Sequence, residues 1–254
     1  MRKNPNLYHS HCHRTLKTKQ GVTSVIAENG MLMETEQQTA TALNTYYQSF
    51  FMKDTPGSTD PYFPIQTEER LTDVSLQVET IEEVLLSLKP NKAAGPDGIK
   101  NRFLKECAEE MVPRLQQVFR KSIDSGEVPK SWKEAHIVPI HKGGSKATMG
   151  NFRPDALTSS VCKVLEKIVC AAILCFLTRH NLITPQQHGF VRGRSCQTNI
   201  MLCLERWTQA LDEGKCVDIA YFDYAKAFDK VSHWLLLKNF LKESKGRRQL
   251  WFMD

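Results

Sequence analysis

The hydrophobic pattern of the first half of the chain predicts helices. After Thr35, apolar residues recur at helical spacing, and Gln38 stands where a capping box needs it, so a helix is predicted to begin there. The segment "KDTPGSTDPYFP" has the composition of a linker. Thr80 and Glu83 have the same capping-box spacing, which predicts a second, short helix that Pro90 ends.

The middle of the chain changes from helical to strand-like periodicity. Helices are predicted at about 101–112 and 114–124, separated by Pro113, and Gly126 stands where a C-terminal cap belongs. The stretch "AHIVPIHKGG" alternates and stops at glycines, which predicts a strand at the edge of a hairpin.

The second half of the chain combines helical and strand-like periodicity. Residues 158–178 form a strongly apolar stretch that predicts a helix buried on most sides, and 196–212 returns to helical spacing. Between them lies a basic loop punctuated by glycines, "QQHGFVRGRS". The stretch "CVDIAYFD" is typical of a strand, and a last amphipathic helix is predicted from about residue 233. The pattern as a whole predicts an α+β fold with a helical N-terminal segment.

Composition and charge restrict the class of protein. Apolar residues make up 41% of the 254 and charged residues 24%, as in ordinary soluble globular proteins. The net charge of +6 suits an anionic partner, although a basic terminus is more often a solvated tail. The longest apolar run is too short to span a bilayer, and no signal-peptide pattern opens the chain. We therefore expect an intracellular protein, nuclear or cytoplasmic, without a membrane partner.

The eight cysteines show no CxxC pairs, so a disulfide framework is not predicted. The cluster "HSHCHR" at residues 9–14 matches no standard zinc spacing. Five of the cysteines lie in apolar surroundings and are predicted to be reduced core thiols: Cys162, Cys170, Cys175, Cys203 and Cys216.

The stretch "YFDYAKAFDKVS" places Asp223 at the end of the predicted strand. A carboxylate there is fixed by the sheet yet faces a cleft, which is a frequent position for a ligand of a hard cation such as Mg²⁺. The alternative is a carboxylate that caps the helix after it. Spacing alone leaves both open.

Two further groups of bases are candidate phosphate contacts. Lys142 lies in the loop after the predicted strand, and Arg153 stands beside a proline in "NFRP". An Arg fork and a Lys point charge suit a triphosphate, but isolated bases are normally surface charges. In "GFVRGRS", Arg192 and Arg194 flank a glycine before a helix near Ser195, which suits a nucleic-acid backbone or a plain basic turn.

The order of five motifs carries more information than any one of them. They are "AGPDGI", "IVPIHK", "NFRP" with "CKVLEKI", "QHGFVRGRSC" and "FDYAKAFDKVSH". In this order, from about Val78 to Leu241, the chain resembles the reverse transcriptases of non-LTR (LINE-like) retrotransposons, which are close to those of group II introns. The resemblance implies an RNA-directed DNA polymerase that uses an RNA template, a DNA primer and deoxynucleoside triphosphates.

The resemblance also implies roles for residues of the last motif. Asp223 corresponds to the first catalytic carboxylate, which holds Mg²⁺ together with the backbone carbonyl of Tyr224. Phe228 corresponds to the aromatic residue beneath the incoming sugar, where it excludes a 2′-hydroxyl. Asp229 is expected to be structural.

The other motifs imply binding roles. Lys142 and Arg153 correspond to residues that grip the triphosphate, although Asp155 stands where the family has an apolar residue and would weaken the field of Arg153. The loop near the template contributes the expected nucleic-acid contacts, namely Gly189, Phe190, Arg192, Arg194 and Ser195.

The sequence also departs from the family. Two-metal transfer uses about three carboxylates, which the family completes from a later "Y/F-x-D-D" hairpin, and no Asp-Asp pair occurs in these residues. We therefore expect an N-terminal extension at 1–75, fingers at 76–212 and a truncated start of the palm at 213–254, with no polymerase activity of its own. The alternatives are a non-catalytic nucleic-acid-binding remnant and a helical protein-interaction module.

Overall fold

The computed structural model of the chain describes residues 22, 24–26, 30–51, 71 and 74–236. Helices dominate, and one small two-stranded sheet makes the fold α+β. The elements in chain order are α1 (Glu36–Gln48), α2 (Val78–Leu86), α3 (Asn101–Glu106), α4 (Ala108–Ser125), β1 (Ala135–His141), β2 (Phe152–Thr158), α5 (Ser160–Arg179) and α6 (Cys196–Asp212).

The chain divides into two compact units. The first unit combines residues 1–52 with 135–157, and the second combines 53–134 with 158–254. The strand-forming segment thus belongs with α1, although it is far from α1 in the sequence.

The first unit is built on α1 and the hairpin of β1 and β2. The predicted capping box at the start of α1 is confirmed, since Thr35 Oγ1 accepts the amide of Gln38 at 3.2 Å while the Gln38 side chain accepts the amide of Thr35. The predicted strand is β1. The amide of Lys142 donates to the carbonyl of Asn151 at 2.8 Å, so the end of β1 lies beside the start of β2. The buried residues of this unit are Val25, Leu43, Tyr47, Met149 and Phe152.

The second unit has the larger core. Helix α2 packs against both α4 and α5, and the ring of Phe119 meets Trp132 edge-on with centroids 6.0 Å apart. Polar side chains of α4 and α5 also bind the residues at the two ends of α2. Gln116 donates to the carbonyl of Leu76 at 2.7 Å, and Lys167 donates to Ser87 at 2.6 Å. The fully buried apolar members of the core are Ile81, Leu85, Leu104, Val112, Phe119, Val164 and Leu165.

Gly95, in the "AAGPDGI" turn, lies against the backbone at Thr158 and Ser159 within this unit. A Cβ added at Gly95 would lie 2.4 Å from the carbonyl oxygen of Thr158 and 2.8 Å from the amide nitrogen of Ser159. The glycine is therefore required by close packing between backbones, in addition to the turn that the sequence indicates.

Two predicted helix boundaries are wrong. Helix α2 begins after Gln77, without a side-chain cap, so Thr80 lies inside it. The break between α3 and α4 falls at Cys107, and Pro113 lies within α4. Buried side chains at helical spacing continue past the proline, so tertiary packing outweighs the one hydrogen bond that Pro113 cannot donate. The predicted cap at Gly126 is confirmed, with φ 74°.

The two later helices are incompletely buried, which the sequence does not predict for α5. Only the first half of α5 is in the core, and residues 170–179 include no buried side chain. Helix α6 buries none of its residues, and Ile200, Met201 and Leu211 are exposed. The prediction of a helix buried on most sides is thus wrong for the second half of α5.

The strand predicted for "CVDIAYFD" does not form. Residues 215–224 have no regular structure, and Tyr221 and Phe222 are 86% and 91% exposed. A strand needs a neighbour for its amides and carbonyls, and the described part of the chain places none beside this segment. A helical turn does begin at residue 233, where the sequence predicts one, and Ser232 caps it by accepting the amide of Leu235.

No described helix is both long and apolar enough to cross a membrane. The described cysteines are unpaired, but the prediction of five core thiols is wrong for four of them: Cys203 is half-buried, and Cys170, Cys175 and Cys216 are exposed. Only Cys162 of that group is buried. The "HSHCHR" cluster lies outside the described residues.

Cys162 is expected to resist alkylation in the folded chain. Burial, together with the nearby carboxylate of Glu166, raises the pKa of the Cys162 thiol to about 12, so little reactive thiolate forms at about pH 8. Cys170, exposed on the same helix, provides the matched control. Peptide mass spectrometry after brief maleimide treatment should find label on Cys170 and not on Cys162, and equal labelling would contradict the burial of this thiol.

Candidate nucleotide and nucleic-acid site

Lys142 and Arg153 lie on the hairpin of the first unit. Both side chains are exposed, at the start of the loop after β1 and on β2 respectively. The loop between them is held by Asn151, whose side chain donates to the carbonyl of Ser145 at 2.9 Å, and by Gly144, where a Cβ would come within 2.7 Å of Asn151 Nδ2. The two bases thus lie at either end of a loop of defined shape.

Asp155 is the acidic group nearest in sequence to Arg153. Arg153 and Asp155 are two residues apart on β2, so their side chains lie on the same face of the strand. No salt bridge joins them within the described residues. Their opposite charges nevertheless act on the same side of the hairpin, and Asp155 reduces the positive potential there.

In the second unit, Arg194 holds the basic loop that precedes α6. Its Nη1 lies within hydrogen-bond distance of three carbonyl oxygens, at 3.0 Å from Thr184, 3.1 Å from Pro185 and 2.6 Å from Gln187. Because Nη1 carries two hydrogens, the three carbonyl oxygens share them. The Arg194 side chain is therefore engaged in folding the loop.

Ser195 is equally engaged, as the N-cap of α6. Its side chain accepts the amide of Thr198 at 3.2 Å, and Thr198 Oγ1 accepts the amide of Ser195 at 2.8 Å, which completes a capping box. His188 Nδ1 lies 2.9 Å from the same hydroxyl. The carbonyl of Gly189 accepts the side-chain amide of Gln187 at 2.9 Å. These bonds fix both ends of the loop.

Arg192 and Phe190 are the parts of this loop that face solvent. Arg192 is exposed and has no ionic partner within the described residues, whereas the ring of Phe190 is 89% exposed. Phe190 also has a φ of 59°, a left-handed conformation that costs energy for a bulky residue. The loop thus presents one free guanidinium and one aromatic ring.

The structure brings this loop to the segment that contains Asp223. The rings of Phe190 and Phe228 meet edge to face, with centroids 6.4 Å apart and planes at 88°. Both residues belong to the second unit. The motifs "QHGFVRGRSC" and "FDYAKAFDKVSH" are therefore neighbours in space.

Asp223 itself is exposed, and so is Tyr224. No helix follows Asp223 directly, because residues 225–230 form turns, so the alternative role as a helix cap is not observed. Asp229 is half-buried.

In the described residues, no three histidine, cysteine or acidic side chains lie close enough together to hold a metal ion. A hard cation takes oxygen ligands, and Mg²⁺ often uses only one or two carboxylates beside water and substrate phosphates. The exposed carboxylate of Asp223, with an adjacent carbonyl, fits such a partial site.

Two residues have structural roles that the sequence did not predict. It named Arg194 as a nucleic-acid contact, although Arg194 binds three carbonyls, and it assigned Gly95 only a turn. No local signal marks either role, since each depends on which backbone lies opposite. The aromatic pair of Phe190 and Phe228 was missed for the same reason.

Comparison with known families gives a match for the part of the chain that contains the basic loop and the segment of Asp223. Residues 140–252 match the family model described as reverse transcriptase (RNA-dependent DNA polymerase). The match includes β2, α5, α6 and the segment of Asp223.

Curated relatives agree with this match. The chain is 28% identical over 159 residues to "Probable RNA-directed DNA polymerase from transposon BS" of Drosophila melanogaster. The aligned region covers 62% of this chain and 18% of that protein. It is 26% identical over 196 residues to "RNA-directed DNA polymerase from mobile element jockey" of the same species, covering 71% and 21%. It is also 26% identical over 225 residues to "Transposon TX1 uncharacterized 149 kDa protein" of Xenopus laevis, covering 85% and 17%.

The chain thus spans about a fifth of the length of these relatives. The match over residues 140–252 and the relatives together support a reverse transcriptase domain in this chain, similar to the RNA-directed DNA polymerases of LINE-like mobile elements.

Proposed function

We propose that the chain supplies the nucleotide-binding and template-binding part of an RNA-directed DNA polymerase. The observation that carries this proposal is the contact between Phe190 and Phe228, because it joins the basic loop to the segment of Asp223. The domain organisation proposed with it is an extension at 1–75, fingers at 76–212 and the start of the palm at 213–254.

Asp223 and the backbone carbonyl of Tyr224 are the proposed ligands of a divalent cation, Mg²⁺. Bound there with a second ion, the cation would activate the 3′-hydroxyl of a DNA primer and stabilise the leaving pyrophosphate. The exposure of Asp223 supports this role, since a carboxylate that no described residue pairs with can bind a cation. The side chain of Phe228 would contact the sugar and exclude a 2′-hydroxyl.

The proposed phosphate contacts are exposed bases. Lys142 and Arg153 would bind phosphate oxygens of a deoxynucleoside triphosphate. The hydrogen bond of Asn151 across the loop between them supports this, because a held loop loses less entropy on binding. In the second unit, Arg192 would contact the backbone of an RNA template, while Arg194 and Ser195 hold the loop in shape.

We propose that these 254 residues on their own bind substrates and do not extend a primer. Two cations at one reaction centre use about three carboxylates, and the chain contains no Asp-Asp pair to add to Asp223. Detectable Mg²⁺-dependent primer extension by the purified chain would refute this part of the proposal.

The phosphate-binding role is tested by titrating the chain with a fluorescent dATP analogue in the presence of Mg²⁺. Lys142→Ala and Arg153→Ala should each weaken binding about tenfold, because each removes a hydrogen bond to a charged phosphate. Asp155→Asn should strengthen binding about twofold by removing a nearby negative charge.

Lys146→Ala is the matched control, since Lys146 is an exposed lysine in the same loop. It removes the same net charge and is expected to change the affinity less than about twofold. If Lys142→Ala and Lys146→Ala weaken binding equally, the contact at Lys142 is only general electrostatic attraction. If the unmodified chain does not bind the analogue, the nucleotide-binding proposal fails.

A second candidate function is nucleic-acid binding without catalysis. The exposed guanidinium of Arg192 favours this function, because such a group can contact any phosphate backbone. The loop that carries Arg192 is held by the hydrogen bonds of Arg194. RNA affinity that falls steeply with salt, without any triphosphate binding, would distinguish this function from the first.

A further inference from the structure

Phe228 has an aromatic neighbour that the family resemblance does not assign. Its ring meets that of Phe190 at 88°, with 6.4 Å between centroids, which is the edge-to-face arrangement that aromatic pairs prefer. Phe228 nevertheless remains 80% exposed, so the contact occupies only a small part of its surface. The rest of the ring is free to meet a ligand.

The Phe190 side of this pair is held firmly. The loop that carries Phe190 is closed by Arg194, whose guanidinium binds three carbonyls, and by the capping box of Ser195 and Thr198. Phe190 is therefore presented by a loop with fixed ends, whereas Phe228 lies in a segment of turns without regular structure.

The backbone at both ends of the contact is unusual. Phe190 has a φ of 59°, and Lys226, two residues before Phe228, has a φ of 55°. Among the described residues only one other non-glycine residue, Asn181, has a positive φ. Non-glycine residues keep this conformation only where the surrounding structure requires it, and such strain concentrates at functional sites.

We infer that Phe190 is a positioning residue that orients the ring of Phe228, and thereby helps to discriminate between deoxyribose and ribose. The inference rests on the proposed function, in which Phe228 excludes a 2′-hydroxyl. Exclusion by shape requires that the ring stay in place, because a ring that swings aside leaves room for the extra oxygen. Phe190 restricts that motion through the edge-to-face contact.

The test compares the dissociation constants of fluorescent ATP and dATP analogues for the full chain in the presence of Mg²⁺. The unmodified chain should bind the deoxy analogue more tightly, and Phe228→Ala should remove the preference. Phe190→Ala should reduce the ratio of the two constants by about threefold, as expected for loss of one aromatic pair. Affinity for the deoxy analogue should stay nearly unchanged.

Further variants separate positioning from a general structural effect. Phe190→Tyr keeps an aromatic edge and should restore the ratio, whereas Phe190→Leu keeps bulk and should not. The double variant lacking both rings should match Phe228→Ala alone, because Phe190 acts only through Phe228. Phe190 is almost fully exposed, so its replacement should leave the fold intact, which circular dichroism checks.

The outcomes distinguish the two proposals. If the chain discriminates between the sugars and Phe228→Ala removes this discrimination, but Phe190→Ala leaves the ratio unchanged, the positioning role is overturned and the proposed function stands. If the unmodified chain does not discriminate at all, the role of Phe228 fails, and the inference about Phe190 fails with it.

Discussion

Gly95→Ala is expected to destabilise the second unit by about 3 kcal/mol, which is a large share of the stability of an ordinary domain. The added Cβ would lie 2.4 Å from the carbonyl oxygen of Thr158, and neither backbone can yield as a flexible side chain would. The amide nitrogen of Ser159 is also too close, at 2.8 Å. Ser159 is fully buried and caps α5, so displacing it disturbs the start of a core helix. Urea denaturation followed by circular dichroism measures the loss.

Gly189→Ala is the matched control for this substitution. Neither Gly95 nor Gly189 has a positive φ, and a Cβ at Gly189 would meet nothing closer than the side-chain nitrogen of Gln187 at 3.6 Å. Both alanines stiffen the unfolded chain and so share a small stabilising effect. The difference between the two variants therefore isolates the clash. Equal stabilities would show that the backbone near Thr158 is not packed as described.

The sequence predicts helices well where the signals are local. The capping box of Thr35 and Gln38 and the cap at Gly126 are confirmed, because each depends on residues a few positions apart. The helix boundary predicted at Pro113 is wrong, and the reason is informative. A proline lowers local helix propensity, yet the apolar stripe of α4 continues through it, and burial against α2 outweighs the local cost.

The segment before Asp223 shows what periodicity cannot decide. Its apolar alternation predicts a strand, but a strand is stable only when a neighbour satisfies its backbone. The described residues supply no such neighbour, so Tyr221 and Phe222 stay exposed. The site at Asp223 stays a prediction from the residue types, and the local structure of this segment depends on what lies beside it.

The candidate loop is a similar case. Its composition predicts phosphate contacts by both Arg192 and Arg194, since the two are equivalent in sequence. The structure separates them, because only Arg194 faces the carbonyls of Thr184, Pro185 and Gln187. The fold of the loop, which the residue types alone do not specify, thus decides which arginine is free.

Arg194→Ala is expected to lower the free energy of opening the loop before α6 by about 2 kcal/mol. The substitution leaves three carbonyl oxygens without a charged donor. Hydrogen exchange measured by mass spectrometry over residues 183–198 should then rise by about thirtyfold. The exchange of α4, in the core, should not change. RNA affinity should fall as well, since Arg192 loses its fixed position.

Arg192→Ala provides the matched comparison, because it removes the same charge from the same loop without touching those carbonyls. It should leave hydrogen exchange unchanged and weaken binding to single-stranded RNA by about threefold, with the slope of log affinity against log salt reduced by about 0.7. Arg194→Ala should reduce the slope similarly, because Arg192 then loses its contact with the phosphate, but only Arg194→Ala should also raise hydrogen exchange in the loop. If Arg192→Ala leaves affinity and slope unchanged, the loop does not contact RNA. If Arg194→Ala leaves exchange unchanged, the three carbonyl contacts do not hold the loop, and the two arginines are equivalent after all.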